Sequence, residues 1–156
     1  MGFIRTFKKV NTIFNKILII CVGNICRSPT AERILQQELP SKIISSAGLN
    51  ALTGKGMHSP AARVLSENGY DSENHEARKL NYEMVADSDL VLVMEKGHQN
   101  VLMNLYPETS GKVMLLGRWA DDLEVTDPYR KSSEAYNYVY KQIENCCMDW
   151  KGRLMS

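Results

Sequence analysis

Cys21 and Arg27 bracket the stretch Cys21-Val22-Gly23-Asn24-Ile25-Cys26-Arg27, and Ser28 follows at once. An ionised thiol is a nucleophile, and a guanidinium is a planar fork that grips two oxygens of one anion. The six backbone N–H groups of Val22, Gly23, Asn24, Ile25, Cys26 and Arg27 can converge on a tetrahedral dianion when the loop curls. Gly23 and Asn24 suit such a curl, because both tolerate left-handed backbone conformations. Ser28 adds a hydroxyl that can donate to the sulfur. Phosphate-ester chemistry needs an anion pocket with a nucleophile at its floor, and the positive field of this loop favours the Cys21 thiolate.

Such a loop works only if rigid elements hold its ends. Ile17-Leu18-Ile19-Ile20 runs into Cys21 as an apolar, β-branched strand. Ser28 is placed to cap a helix with Pro29 at its first position, and that helix end adds partial positive charge to the pocket. Ile34, Leu35 and Leu39 form its apolar stripe, and Pro40 ends it. Further strands are expected at 43–46, closed by Ala47-Gly48, then at 90–94 and 113–116. Between them, a helix opens at Ser59-Pro60 and stops at Gly69. Asn81 caps a short helix containing Met84 and Val85, and another carries Val101, Leu102 and Leu105. A final helix from about Ser133 to Trp150 presents Tyr136, Val139, Tyr140, Ile143 and Cys147. Strand–helix alternation predicts an α/β fold: one domain, a four-stranded parallel sheet flanked by helices on both faces. Ligands of such sheets bind at the carboxyl ends of the strands, where the Cys21 loop lies.

A phenolic leaving group departs more readily when a general acid protonates it. Asp127-Pro128-Tyr129, in the loop after the fourth strand, offers a carboxylate stiffened by proline. By residue type it is read equally well as an acid or as a turn residue. Asp121, Asp122 and Glu124 share the loop and read first as solvated charge.

Composition bounds the rest. The 156 residues are 44% hydrophobic and 24% charged, with a net charge of +1, so no whole-molecule field points to nucleic acid or a membrane. Arg5, Lys8, Lys9 and Lys16 precede the first apolar run as in a signal peptide, but Gly23, Asn24 and Arg27 interrupt that run too early. A cytoplasmic chain is expected, with residues 1–15 an extension ahead of a 16–156 domain. Phe3, Ile4, Phe7, Val10 and Phe14 have the spacing of a short docking helix, and a frayed terminus fits equally. Cys21, Cys26, Cys146 and Cys147 form no zinc-type pair, and His58, His75 and His98 are scattered. Cys146 and Cys147 read as packing or surface residues.

With these residues in hand, the chain resembles the low-molecular-weight protein tyrosine phosphatases. Residues 21–32 match the family's signature, and Asp127-Pro128-Tyr129 matches its acid loop. Ser46-Ala47-Gly48 and His75-Glu76-Ala77-Arg78-Lys79-Leu80 also follow the family's pattern. The resemblance implies the phosphotyrosine phosphatase I-like fold and a phosphocysteine mechanism. Cys21 is then the nucleophile, Asp127 the acid and base, and Arg27 with the amides of 22–28 the phosphate cradle; Asn24 and Ser28 hold the loop and thiolate. No metal or cofactor is expected. Leu52 stands where many relatives carry tryptophan, and with Tyr129 it is expected to wall the ring-binding slot. Cys26, five residues after Cys21, is expected to pair with it as a reversible redox guard, as in eukaryotic relatives. Gly54-Lys55-Gly56 and residues 127–132 look most like the Gram-negative subgroup, which implies a tyrosine autokinase of capsule or exopolysaccharide export as partner. A monomer or weak dimer is expected. Arsenate reduction on the same fold needs mid-chain cysteines, and none lies between Cys26 and Cys146. A phosphotyrosine-binding module is the other alternative, but it would have no need of Cys21, Arg27 and Asp127 together.

Overall fold

The computed structural model describes residues 14–155, so the expected N-terminal docking helix lies outside the described residues apart from Phe14, which packs against the core. The sheet is built from β1 (Lys16–Cys21), β2 (Ile43–Gly48), β3 (Leu90–Val93) and β4 (Val113–Leu115), all parallel, in the order β2-β1-β3-β4. Ile17, Leu18, Ile19 and Ile20 are all buried because β1 is covered on both faces, which is why the run does not alternate with polar residues. Each contributes roughly 1.5–3 kcal/mol of burial free energy.

Among the described residues, five α-helices cover the sheet: α1 (Arg27–Glu38), α2 (Ser59–Glu67), α3 (Tyr82–Asp87), α4 (Lys96–Leu105) and α5 (Ser133–Leu154). Helices α1, α2 and α5 pack Ile34, Leu35, Val64, Leu65, Val139 and Ile143 on the face shown by Ile17 and Ile19. Helices α3 and α4 pack Val85 and Leu102 on the opposite face, with Leu18 and Ile20. The chain leaves β1 for β2 on one side and reaches β3 on the other. That reversal of strand order opens a crevice at the carboxyl end of β1.

Asn81 caps α3 as expected, its Oδ1 accepting from the Met84 N–H at 2.9 Å. Two local expectations fail. Ser28 is not a cap: α1 begins at Arg27, Cys26 occupies the cap position without a side-chain cap bond, and the Ser28 hydroxyl is drawn instead to the Cys21 sulfur. On α4, Val101 and Leu105 are exposed, and the inward pair is His98 with Leu102, four residues apart. Among the described residues, no helix is long and apolar enough to cross a membrane.

Candidate active site

The loop between β1 and α1 is held by its carbonyls. The oxygen of Cys21 accepts from the Leu49 N–H at 2.9 Å, that of Val22 from Asn50 at 2.9 Å, and that of Gly23 from Leu52 at 3.1 Å. The Ile25 oxygen accepts from the His58 N–H at 2.8 Å and the Cys26 oxygen from Thr30 at 3.1 Å. The Asn24 oxygen meets His75 Nε2 at 2.6 Å, so that nitrogen must carry the proton. Every carbonyl from Cys21 to Cys26 is therefore bonded outward, and the amides of the curl are left for its interior. This is a backbone anion nest, adjoining the start of α1.

Asn24 is the pivot. It sits at φ 57°, a left-handed conformation asparagine tolerates, and is fully buried. Its Nδ2 donates to Ser28 Oγ at 2.8 Å and to Ser46 Oγ at 3.0 Å, and its Oδ1 accepts from the Arg78 N–H at 2.9 Å. An amide nitrogen only donates, so Ser28 Oγ is the acceptor there and its own proton is free for Cys21 Sγ, 2.9 Å away. Ser46 Oγ donates a hydrogen bond to Glu32 Oε1 at 2.9 Å, and His75 Nδ1 lies 3.8 Å from the same oxygen. Burial raises the Glu32 carboxyl above its usual range, opposed by that Ser46 hydrogen bond.

Arg27 is almost fully buried and oriented from behind. Its Nη1 donates to Glu95 Oε2 at 2.6 Å and to the Val125 carbonyl at 2.8 Å. That occupies one end of the fork and leaves Nε and Nη2 as the pair for an anion. Nη2 lies 4.0 Å from Asp127 Oδ2, so the candidate acid reaches the same cavity from the loop after β4. Asp127 is half-exposed, and its Oδ1 accepts from the Tyr129 N–H at 3.0 Å, a turn that fixes the carboxylate's direction. Behind Glu95 stands His98, with Nε2 3.7 Å from Glu95 Oε2 and a buried Nδ1 that has no hydrogen-bond partner among the described residues. Burial pushes the His98 imidazole below its usual pKa, and Arg27 adds to the push.

One cavity of about 320 Å³ gathers these groups: Cys21 through Arg27 form its floor, and Asn50, Leu52, Asp127 and Tyr129 its walls. Leu52 and Tyr129 are about half exposed, standing at the rim. Tyr129 leans on His58, ring centroids 5.3 Å apart. Cys26 is a free thiol in the same loop, and burial first, then the Cys21 charge, pushes it up to about 12. All the loop and wall residues named from sequence thus meet in one place, with Ser28 just beneath the floor. Sequence reasoning missed Asn50, Glu95 and Val125. Glu95 was accessible to it: a charged residue one place beyond a buried strand's apolar run, at the sheet's carboxyl edge, faces the ligand side. Val125 acts only through its backbone oxygen, which no side-chain pattern signals.

Residues 16–156 match the family described as low molecular weight phosphotyrosine protein phosphatase. The chain is 49% identical over 138 residues to the low molecular weight protein-tyrosine-phosphatase Wzb of Salmonella typhimurium, covering 88% of this chain and 93% of that one. It is 44% identical over 142 residues to the probable low molecular weight protein-tyrosine-phosphatase AmsI of Erwinia amylovora, covering 91% and 99%. Its fold superimposes on Vibrio vulnificus Wzb in complex with benzylphosphonate with a TM-score of 0.88 and 46% identity, over 90% of this chain and 99% of that one.

Proposed function

This chain belongs to the low molecular weight phosphotyrosine protein phosphatase family, and we propose that it hydrolyses phosphotyrosine through a phosphocysteine intermediate on Cys21. The observation that carries the mechanism is the outward bonding of all six loop carbonyls, which leaves the amides and the Nε–Nη2 edge of Arg27 to cradle a dianion above the sulfur. The Cys21 thiolate attacks phosphorus, an S–P bond forms, and the P–O bond to the phenol breaks. Asp127 gives its proton to the departing oxygen. It then takes a proton from a water molecule, whose oxygen attacks phosphorus. The S–P bond breaks, and the electron pair returns to a sulfur stabilised by the Ser28 hydroxyl. Arg27 and the amides hold the charge of the equatorial oxygens in both steps. Leu52 and Tyr129 hold the phenyl ring, deep enough that phosphoserine falls short of Cys21. Benzylphosphonate, bound by the Vibrio relative, has the same union of a ring and a tetrahedral anion.

The partner we propose is an autophosphorylating tyrosine kinase of capsule or exopolysaccharide export, acted on in the cytoplasm. Its support is the likeness to the Wzb and AmsI proteins. An arsenate reductase is not favoured. Cys146 and Cys147 are buried in α5, Cys147 against the Ala31 carbonyl of α1, and no cysteine lies in the mid-chain segment between Cys26 and Cys146 where reduction of arsenate needs its further thiols. Cys26 serves instead as a guard: peroxide oxidises Cys21 to a sulfenic acid, and the Cys26 sulfur displaces hydroxide from it to form a disulfide and water. If Cys26→Ala regained activity after peroxide and reductant as fully as wild type, that guard would be wrong.

The direct test is p-nitrophenyl phosphate hydrolysis. Cys21→Ser is expected to abolish it, and Asp127→Ala to slow turnover by about 10²–10⁴. Turnover surviving in Cys21→Ser would refute the mechanism. Asp127→Ala used as a trap in cell extract identifies the phosphoprotein partner.

A further inference from the structure

A second groove of about 430 Å³ is lined by Ser59, Pro60, Arg63, Lys131, Ser133 and Tyr136, at the first turns of α2 and α5. A wall of rings separates it from the catalytic cavity. Tyr129 lines that cavity and packs on His58 at 5.3 Å, and His58 packs on Tyr136 at 5.8 Å. The rings of Tyr129 and Tyr136 are thus no more than about 11 Å apart, roughly three residues of extended peptide. The two charges lining the groove are both positive. Arg63 Nε lies 3.7 Å from Glu67 Oε1, an exposed i,i+4 pair of the kind that holds its partner weakly. Lys131 is exposed, and its ammonium makes no ion pair among the described residues. Glu134, in the first turn of α5, does not line the groove.

We propose that this groove takes an acidic side chain of the protein substrate, two to four residues from the phosphotyrosine seated over Cys21. The proposal rests on the phosphatase reading and adds a sequence preference to it. Arg63 presents a fork to the carboxylate and Lys131 a point charge, while Pro60 and the buried Tyr136 receive the aliphatic stem. Because both cations are exposed, the gain is modest: about 3- to 10-fold in kcat/KM, shrinking as salt screens it.

The test compares two phosphotyrosyl peptides that differ only in carrying glutamates or alanines two to four residues either side of the phosphotyrosine. p-Nitrophenyl phosphate, too small to reach the groove, reports the catalytic centre. Wild type is expected to prefer the acidic peptide, chiefly through KM. Arg63→Gln with Lys131→Gln removes the preference, and Arg63→Glu with Lys131→Glu inverts it, with p-nitrophenyl phosphate turnover unchanged in both. Equal kcat/KM for the two peptides in wild type, or a preference that survives in the glutamine pair, would overturn the proposal. Failure of the phosphatase reading would show differently, as wild type leaving p-nitrophenyl phosphate intact.

Discussion

Gly48→Ala is the sharpest probe of how the phosphate loop is held. Gly48 ends β2 and pairs in register with Cys21. A Cβ built there would stand 2.4 Å from the Val22 carbonyl oxygen, 3.0 Å from Asn24 Cβ and 3.1 Å from the Asn24 nitrogen. A carbon–oxygen contact needs about 3.3 Å, so the loop must recede by close to 1 Å. The obstacle is backbone and cannot swing aside like a side-chain end. Gly48 has no left-handed φ, so alanine suits its conformation and the whole cost comes from the clash. Overpacking of this kind destabilises by about 1–3 kcal/mol, and the Val22–Asn50 bond, 2.9 Å long, is strained with it. A displacement near 1 Å at the residues beside the nucleophile costs up to about 10² in rate. The measurements are kcat and KM for p-nitrophenyl phosphate, inhibition by inorganic phosphate, and urea unfolding. Turnover is expected to fall by about an order of magnitude or more, phosphate inhibition to weaken and the unfolding midpoint to drop. Gly97→Ala, where an added Cβ meets nothing within 4 Å, serves as the control and should leave activity unchanged. A Gly48→Ala protein that turns over within threefold of wild type, with an unchanged midpoint, would refute the reasoning.

Three further outcomes are expected. Folding lowers the pKa of His98, so the unfolded chain binds that proton more readily, and stability is lost as pH falls below about 6.5. His98→Gln should flatten this acid-side loss in urea titrations from pH 7 to 5, and a parallel loss in both proteins would count against it. Lys151 Nζ bonds Glu38 Oε1 at 2.7 Å, tying the end of α5 to that of α1, and this bond is the main cause holding the Glu38 carboxyl below its usual range. Its contribution is present above pH 4.5 and lost as pH falls through the depressed value, so Lys151→Met should cost about 0.5–1 kcal/mol at pH 7 and progressively less as pH falls below 4.5. Cys26, pushed up to about 12, is ionised in only about one molecule in 10⁴ at pH 8. Replacing it with alanine should leave the rate of inactivation by iodoacetamide at pH 8 unchanged, and a slower rate would mean that Cys26 is the thiol attacked.

Much of this protein is legible in one dimension. The apolar run into Cys21, the helix after it, Pro40 as a stop and Asn81 as a cap depend on neighbours within a few residues, and local chemistry decides them. So do the candidate nucleophile, the fork and the loop between them. The strand–helix alternation likewise carried the parallel sheet, because two covered faces impose continuous apolar strands. Where local chemistry misleads, a distant group has outbid a near one. Ser28 has the makings of a helix cap, but Asn24 and Cys21 claim its hydroxyl. Leu105 has the spacing of a core residue, but α4 turns His98 inward toward Glu95 and Arg27.

The sequence by itself determined the class of fold and which side chains are the candidates for the proposed chemistry. Only the tertiary structure decided where those side chains point. The loop's amides face inward because partners at residues 49, 50, 52, 58 and 75 draw five of its carbonyls outward, with Thr30 taking the sixth. Arg27 turns its Nε–Nη2 edge to the cavity because Glu95 and the Val125 oxygen hold the other end. Such hydrogen bonds span dozens of residues, and their directions exist only once the sheet has brought β1, β2 and β3 side by side.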